Sequence, residues 1–209
     1  MNLLVSAVFG YLLGSVPFAV IVSRAFRLAD PRSFGSGNPG ATNVLRSGNK
    51  AAALLTLVGD AAKGWLAMFI VAAVLRNESP AEGTAVAVAG LAAFVGHVFP
   101  FTLGFKGGKG VATALGVLLG FSAALAGLTA GIWLAVIVFT RYSSLAALVA
   151  ASVAPIFTWW LLGNTEITAV VTAMCAVLIY RHKSNIRKLL AGNEGRVGGR
   201  KQARSPPPL

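Results

Sequence analysis

The sequence predicts an all-α integral membrane protein, and three observations lead to this fold class. Of the 209 residues, 56% are apolar and only 11% are charged, whereas soluble domains have about 45–50% apolar and about 25% charged residues. The mean hydropathy is +0.75. The apolar residues form long runs, and a transmembrane helix needs about 20 such residues. We therefore expect a protein whose helices cross the membrane several times.

The distribution of charge predicts which ends of the helices face the cytoplasm. There are 18 Lys and Arg against 6 Asp and Glu, a net charge of +12. Five basic residues lie between Arg24 and Lys50 and eight lie from Arg181 onward, and positive charge between apolar spans marks the cytoplasmic side. Because these charges belong to loops rather than to a soluble domain, we expect membrane lipid as a partner and no nucleic acid.

The first apolar run, Leu3–Ser23, is expected to be a retained span that begins outside. Met1 and Asn2 place no positive charge before it, no small-residue cleavage pattern follows, and Arg24 comes after it. This order of charge is not that of a secretory signal peptide. We therefore place the N-terminus in the periplasm.

The later apolar runs predict the remaining spans. These runs are Ala51–Leu75, Thr84–Pro100, Val111–Thr140, Ser144–Leu162 and Thr165–Tyr180. One helix over Val111–Thr140 would be about 45 Å long, against about 30 Å of hydrocarbon, and Gly120-Phe121-Ser122 is a candidate turn within it. Counting this run twice gives seven helices and brings the basic C-terminal segment to the cytoplasm.

We therefore predict about seven transmembrane helices, the fourth and fifth unusually short and prone to breaks. The loops at 24–50, at 103–110 and around Arg141 then share the cytoplasmic face, and 76–83 is a short turn on the other face. One membrane domain covers residues 1–195, and a disordered, basic and Pro-rich tail covers residues 196–209. The single cysteine, Cys175, allows no disulfide within the chain.

A Gly-rich polar loop after the first span is the first candidate site. Its glycines, Gly40 among them, permit close approach of the backbone to a ligand. Arg46 carries a guanidinium fork suited to phosphate. The other candidate donors are Ser36, Asn38, Thr42 and Asn43. By itself this pattern is also typical of an ordinary polar turn.

A second Gly-rich loop leads into the fourth span. Gly-rich backbone at a helix N-terminus forms an anion site through free N–H groups and the helix dipole. The candidate residues are Lys106, Gly107, Gly108, Lys109, Gly110 and Thr113. A Walker A motif is excluded, because Leu103 stands where it needs Gly and Gly110 where it needs Ser or Thr. The alternative is a flexible basic loop that faces anionic lipid.

The third cluster begins where the last span leaves the membrane. It contains Arg181, His182, Asn185 and Glu194, and the helix count puts it on the same face as the two Gly-rich loops. By itself it is also typical of a juxtamembrane basic stretch that binds lipid headgroups.

Two charges lie in the middle of the second span. Asp60 and Lys63 are spaced i, i+3 on one face, and such charges are costly unless they pair or face a polar interior. We interpret them first as a structural ion pair that closes the bundle, and second as part of the substrate site. For His97, near the end of the third span, the sequence does not decide between a structural and a catalytic role.

Several common chemistries are not indicated. No His, Cys, Asp or Glu residues have metal-ligand spacing, so we expect no metal and no cofactor. A Gly-x-Ser-x-Gly nucleophile elbow is missing. The His-x-x-x-x-Asp pattern of common glycerolipid acyltransferases is missing too, because Thr102 follows His97 by five residues and Arg187 follows His182 by five.

Together the clusters resemble the acyl-phosphate:glycerol-3-phosphate acyltransferases of bacteria, the PlsY family. The matching segments are Gly35–Arg46, Asp60–Gly64, Gly96–Thr113 and Arg181–Glu194. The resemblance implies a multi-pass enzyme of the bacterial inner membrane. Its expected reaction is transfer of a fatty acyl group from acyl phosphate to the 1-hydroxyl of glycerol-3-phosphate, which gives lysophosphatidic acid and phosphate in the first acylation step of phospholipid synthesis.

The same resemblance implies roles for individual residues. Ser36 and Arg46 are expected to position the acyl phosphate, and His182 and Asn185 to complete the catalytic site. The glycines at 107, 108 and 110, with Lys106 and Lys109, are expected to hold glycerol-3-phosphate. Glu194 is expected to be structural.

A transporter of phosphorylated solutes is the alternative function. It would share the Gly-interrupted spans and basic loops, but it would usually contain two related halves and a site at the midplane. The sequence shows no internal repeat, and its candidate residues lie at one face. A non-catalytic lipid-binding protein would explain the basic tail but not the ordered Ser, Asn and Gly positions.

Overall fold

The computed structural model describes residues 2–75 and 82–198. This part of the chain contains ten α-helices and one 3-10 helix. They are α1 (Leu3–Gly14), α2 (Phe18–Ala25), α3 (Ala41–Leu45), α4 (Lys50–Leu75), α5 (Glu82–Val98), the 3-10 helix (Phe101–Leu103), α6 (Val111–Phe121), α7 (Ala123–Thr140), α8 (Ser143–Leu162), α9 (Thr165–Arg181) and α10 (Lys183–Leu190). Most of the predicted turn at 76–83, and the tail beyond residue 198, lie outside the described residues.

The all-α membrane fold class is confirmed. Five segments of the described chain are long and apolar enough to cross a membrane. They are Leu3–Ala25, Lys50–Leu75, Gly83–Leu103, Ala123–Thr140 and Ser143–Leu162. Their outward surfaces carry many exposed large apolar side chains, such as Leu54 on α4, Phe139 on α7 and Trp160 on α8, as lipid-facing helices require.

The first predicted span is long and apolar enough to cross a membrane, but it is divided into α1 and α2 by a break that the sequence analysis did not predict. Pro17 lacks an N–H group and disfavours helical conformation in the residue before it. The carbonyl groups at the break have side-chain donors: the Thr102 hydroxyl donates to the Ser15 carbonyl at 2.6 Å, and Lys63 Nζ donates to the Val16 carbonyl at 2.8 Å. Since unpaired carbonyl groups are costly in a membrane, these two donors stabilise the break.

The run Val111–Thr140 contains two helices, as its length predicts. The expectation that both are unusually short is wrong for the second, because the 18 residues of α7 are enough to cross a membrane. Ser122 is extended, and its hydroxyl accepts a hydrogen bond from the Leu125 N–H, which caps α7. The 11 residues of α6 span about 16 Å, roughly half the hydrocarbon thickness. The short helix packs between α4 and α7.

Glycine allows the helices to approach closely. Gly10 of α1 lies against the backbone of Ala89 in α5, and Gly116 of α6 lies against the backbone of Ala61 in α4. A Cβ atom at either glycine would overlap the facing backbone, so small residues set these interfaces. The largest apolar core lies between α5, α6 and the later helices, and includes the buried side chains of Phe94, Val117, Leu125 and Met174.

Four segments meet at one end of the bundle, called here the polar end. They are the α2–α4 loop, the α5–α6 loop, the α7–α8 connection, and the chain from the end of α9 to residue 198. The Thr42 and Ser143 hydroxyl groups lie 3.2 Å apart and join the first segment to the third. The Val197 N–H donates to the Arg141 carbonyl at 2.8 Å and joins the fourth to the third. The charge pattern predicted that these segments share a face, and the structure brings them together.

Candidate active site

Asn43 organises the first Gly-rich loop from within. Its side chain is buried; Oδ1 accepts the Ser36 N–H at 3.0 Å, and Nδ2 donates to the carbonyl groups of Pro31 at 2.6 Å and Phe34 at 3.1 Å. The sequence predicted Asn43 as a ligand donor, but the loop itself uses these polar atoms. The Ser36 side chain is exposed, so the loop presents that hydroxyl to the polar end.

The rest of this loop faces two other segments. Arg46 is exposed after α3 and lies beside Gly195, whose Cβ, if it had one, would be 3.8 Å from a guanidinium nitrogen. Thr42 contacts Ser143 at the start of α8. Asn38 lies close to Gly40, the N-cap of α3: a Cβ at that glycine would be 2.9 Å from the Asn38 amide nitrogen. Arg46 is thus the cation that this loop contributes.

The glycines of the second loop pack against the end of α5. The Gly107 N–H donates to the Val98 carbonyl at 3.2 Å, and the Gly108 N–H donates to the His97 carbonyl at 3.1 Å. Two N–H groups that we expected to be free for an anion are therefore already paired. Gly110 has φ +88° as the N-cap of α6, and the N–H groups of the first turn of that helix have no partner within it. An anion at this loop would therefore meet the N-terminus of α6.

Two predicted binders from this region have different surroundings. Lys106 is exposed at the polar end. Thr113 is fully buried, and its hydroxyl has no hydrogen-bond partner among the residues the structure describes. Gly64 of α4 packs against the Thr113 carbonyl. The structure therefore leaves Lys106 open to a ligand and places the Thr113 side chain between helices, and a binding role for Thr113 stays a prediction.

A chain of hydrogen bonds connects three segments at the centre of the polar end. Lys109 Nζ donates to Asn185 Oδ1 at 2.5 Å, and Asn185 Nδ2 donates to Glu194 Oε1 at 2.6 Å. The Ser144 hydroxyl donates to the same carboxylate oxygen at 2.5 Å. Glu194 thereby fixes the amide of Asn185, and Asn185 holds the ammonium group of Lys109. The structural role of Glu194 stays a prediction.

Lys109 lies in a strongly positive environment. Burial lowers the pKa of its ammonium group to about 8. This value already includes the opposing charge of Glu194, which raises the pKa, and the positive charges of Arg46, Lys188 and Arg181, which lower it. Three cations from two other segments, Arg46, Arg181 and Lys188, are thus close enough to act on Lys109, and Glu194 is the carboxylate that opposes them in the part of the chain that the structure describes. Such a cluster is suited to an anion with more than one negative charge.

His182 is buried where α9 ends and α10 begins. Its Nδ1 lies 2.8 Å from the Leu178 carbonyl oxygen, which can only accept, so Nδ1 carries a proton. Burial lowers the pKa of the imidazole to about 4, and the charge of Lys109 acts in the same direction. The ring is therefore neutral near pH 7, and its Nε2 atom is a hydrogen-bond acceptor.

Arg181, which the sequence placed in the third cluster without a role of its own, contacts the second Gly-rich loop. Its guanidinium donates to the Gly107 carbonyl at 3.0 Å and lies over the Phe99 ring at 5.7 Å. Ser144, Lys188 and Gly195 were missed as site residues. Arg181 and Lys188 belong to the basic cluster that the sequence showed, but no signal marked Ser144 at the start of α8.

The mid-span charges form a network with His97. Lys63 Nζ lies 2.9 Å from Asp60 Oδ1, and His97 Nδ1 lies 3.4 Å from the same oxygen. The predicted ion pair thus forms, and His97 joins it. In the described part of the chain, no three His, Cys, Asp or Glu side chains are arranged to hold a metal ion.

The fold defines an integral membrane protein whose polar end gathers two Gly-rich loops and several basic side chains. A family model described as glycerol-3-phosphate acyltransferase matches residues 4–192. A glycerol-3-phosphate acyltransferase of Aromatoleum aromaticum is 58% identical over 201 residues, which cover 96% of this chain and all of the relative. The chain belongs to the glycerol-3-phosphate acyltransferase family.

Two solved structures have the same fold. Both are crystal structures of PlsY, an integral membrane glycerol 3-phosphate acyltransferase. The glycerol 3-phosphate form superposes with a TM-score of 0.85 at 37% identity, over 94% of this chain and 96% of that one. The lysophosphatidic acid form superposes with a TM-score of 0.84 at 36% identity, over 94% of this chain and 95% of that one.

Proposed function

We propose that the protein transfers a fatty acyl group from acyl phosphate to the 1-hydroxyl of glycerol-3-phosphate. The family and the two forms of the structural neighbour support the acceptor and the product. The observation that carries the proposal is the cluster of Arg46, Lys109, Arg181 and Lys188 around a few neutral donors. Both proposed substrates bring a phosphate group to such a site, and the product keeps one.

The chemistry is a direct substitution at the acyl carbon. The 1-hydroxyl oxygen attacks the carbonyl carbon, a new ester bond forms, and the bond to the phosphate oxygen breaks. Phosphate leaves with the bonding electron pair, and we propose that a substrate phosphate oxygen takes the hydroxyl proton. Because acyl phosphate has a good leaving group, positioning and charge stabilisation supply much of the rate.

Each segment of the polar end has a proposed part in this reaction. Ser36 and Arg46 position the acyl phosphate. Lys106, Lys109 and the N-terminus of α6 hold the phosphate of glycerol-3-phosphate. Asn185 and neutral His182 complete the site, since each offers a hydrogen-bonding group that does not neutralise the anions. The acyl chain lies in a groove between helices that opens to the bilayer.

We also propose that the chain crosses the bacterial inner membrane seven times, with its N-terminus in the periplasm and its C-terminus in the cytoplasm. The α5–α6 loop and the α7–α8 connection both lie at the polar end, so α6 and α7 together leave that end and return to it. The polar end carries the basic loops, whereas Glu166 lies at the start of α9, at the opposite end. This asymmetry supports a cytoplasmic polar end.

Acyl transfer by the purified protein in lipid or detergent tests the reaction. Labelled glycerol-3-phosphate is offered with palmitoyl phosphate and, separately, with palmitoyl-CoA. Lysophosphatidic acid formed from the acyl phosphate alone is expected. Product from palmitoyl-CoA alone would overturn the donor, and no product from either donor in a folded preparation would favour the transporter alternative, which the position of the site at one end of the bundle does not support.

The assignment of glycerol-3-phosphate to the second loop has its own test. Lys106→Ala is expected to raise KM for glycerol-3-phosphate about tenfold, because a charge-assisted hydrogen bond to phosphate contributes about 1.5–3 kcal/mol. KM for acyl phosphate should stay unchanged. Lys183→Ala, which removes another exposed lysine at the polar end, is the matched control. An unchanged KM for glycerol-3-phosphate in Lys106→Ala would contradict the assignment.

A further inference from the structure

Asp60, Lys63 and His97 form a buried charged network that the proposed reaction does not use. Their relative exposures are 3%, 2% and 7%, so all three side chains are removed from solvent. An isolated charge at such a place is strongly destabilising, and a paired one requires good geometry. Closing the bundle would require only the Asp60–Lys63 pair, so the position of His97 needs a further explanation.

His97 connects this network to the second Gly-rich loop. One ring nitrogen, Nδ1, faces the carboxylate of Asp60 at 3.4 Å. The other, Nε2, lies so close to Gly108 that a Cβ atom there would collide with it. The backbone of His97 also accepts the Gly108 N–H at 3.1 Å. Asp60 therefore orients a ring whose far edge sets the position of Gly108.

The segment Gly107–Gly108 is held from two sides. The end of α5 and the His97 ring lie on one side, and on the other Arg181 donates to the Gly107 carbonyl at 3.0 Å. The next residue is Lys109, whose ammonium group occupies the centre of the polar end. A displacement of Gly108 would therefore move Lys109.

Lys63 extends the network to the break between α1 and α2. Its ammonium group donates to the Val16 carbonyl at 2.8 Å while it pairs with Asp60 at 2.9 Å. A small cavity runs along this contact, lined by Val16, Phe18, Pro39, Asp60, Lys63, His97, Gly107 and Gly108. It reaches from the first Gly-rich loop to the second.

We propose that Asp60 and His97 are positioning residues for substrate binding: they hold Gly107–Gly108, and through it Lys109, in the form that binds the phosphate of glycerol-3-phosphate. Lys63 pairs with Asp60 and ties the same network to the α1–α2 break. This inference rests on the proposed function for the identity of the phosphate ligand. In this role both residues act through the loop that they support rather than on the substrate itself.

The test uses Asp60→Asn and His97→Asn in the full-length protein. His97→Asn keeps an amide donor near the position of Nδ1 but removes the ring edge that faces Gly108. Both variants are expected to raise KM for glycerol-3-phosphate by about tenfold or more, since small displacements of a binding group have large effects on rate and binding. Their kcat and their KM for acyl phosphate should change less than about threefold. Thr129→Val is the matched control, because this buried hydroxyl bonds only within α7.

A second comparison tests the contact itself. Gly108→Ala places a methyl group against the His97 ring, and it is expected to weaken glycerol-3-phosphate binding strongly in the wild-type background. In the His97→Asn background the same substitution should add less than about twofold, because the clash is gone. Binding is followed by the shift of the thermal unfolding midpoint with glycerol-3-phosphate, which needs no turnover.

The outcomes separate the inference from the proposed function. Independent, multiplicative effects of Gly108→Ala and His97→Asn would overturn the proposed contact. Unchanged binding of glycerol-3-phosphate by folded Asp60→Asn and His97→Asn would overturn the positioning role. An equal rise in KM for both substrates, together with a lowered unfolding midpoint, would overturn it as well. A wild-type protein that binds glycerol-3-phosphate but transfers no acyl group would refute the proposed reaction, while the binding comparison would still decide the inference.

Discussion

At the scale of single residues, the partners of a side chain decide what it can do. Asn43 and Asn185 are both buried amides, and each lies in a short helix at the polar end. All the bonds of Asn43 hold its own loop, whereas those of Asn185 join Lys109 to Glu194. The sequence identified both as candidates, because amides in Gly-rich or basic segments are typical of phosphate sites. It could not separate them, since the difference depends on contacts across the fold.

The lowered pKa of Lys109 predicts how activity depends on pH. A lysine is charged below its pKa, so a group with a pKa of about 8 loses its charge as the pH rises through 8. The kcat/KM for glycerol-3-phosphate reports the free enzyme, and it should fall about tenfold per pH unit above this value. In Lys109→Arg the fall in kcat/KM should move to a pH too high to measure, because arginine stays charged. A descending limb near pH 8 that persists in Lys109→Arg would assign it to another group.

The contact between Asn185 and Glu194 predicts a rescue. Asn185→Asp keeps an acceptor for Lys109 but places a second carboxylate against Glu194, so it should destabilise the protein by about 1–3 kcal/mol and reduce acyl transfer. Glu194→Gln added to it should recover part of both losses, because the amide can donate to the new carboxylate. Unfolding midpoints and rates of the two single variants and the double variant measure this. A double variant that performs no better than Asn185→Asp would contradict the contact.

At the scale of elements, chain length and local chemistry predicted one break and missed another. The run Val111–Thr140 is too long for one crossing, and Ser122 in its candidate turn caps α7. The break at Pro17 was missed because a membrane helix tolerates proline where neighbours satisfy the backbone. Those neighbours are Thr102 and Lys63, more than 40 residues away in sequence. The residues around Pro17 do not show that such distant donors are present to stabilise a break.

The segment after α10 is a separate element with a testable role. Glu194 accepts from Ser144 and Asn185, and the Val197 backbone pairs with Arg141. The expected boundary at residue 195 therefore lies inside a segment that contacts the polar end. Truncation after Gly198 should leave activity within about twofold, since a tail of this composition adds little to a packed domain. Truncation after Gly192 should reduce activity at least about tenfold, because it removes Glu194.

The two truncated proteins are compared at equal amounts in the membrane fraction, with acyl transfer as the readout. Equal activity of both would show that the Glu194 contacts are dispensable. A large loss on truncation after Gly198 would instead assign a function to residues 199–209, against their expected disorder.

At the scale of the whole molecule, the count of basic residues predicted which loops meet. The structure joins the predicted loops through Thr42, Lys109, Arg141 and their partners. The orientation that we propose across the membrane rests on the same asymmetry of charge. What the sequence could not supply is the relative placement of α4, α5 and α6, because glycine contacts such as Gly116 with Ala61 depend on which helices face one another.

The proposed orientation predicts which sites a membrane-impermeant thiol reagent labels. Lys106→Cys and Arg141→Cys each place a cysteine at an exposed position of the polar end. Thr165→Cys places one at an exposed position of the opposite end. In intact cells only Thr165→Cys should react from outside, and the other two should react after the inner membrane is opened. Cys175 is buried and provides an internal background control. Labelling of Lys106→Cys in intact cells would reverse the topology.

The four segments of the polar end also determine when a newly made molecule becomes active. Ribosomes deliver the chain from its N-terminus, so the loop with Ser36 and Arg46 is made early, and Glu194 and Val197 emerge after every helix. A nascent chain that has inserted most of its length still lacks the groups that fix Asn185 and Lys109. Full acyl transfer by this protein is therefore expected only when translation has passed the last membrane helix and Glu194 behind it, and copies that end before Glu194 are expected to have little activity.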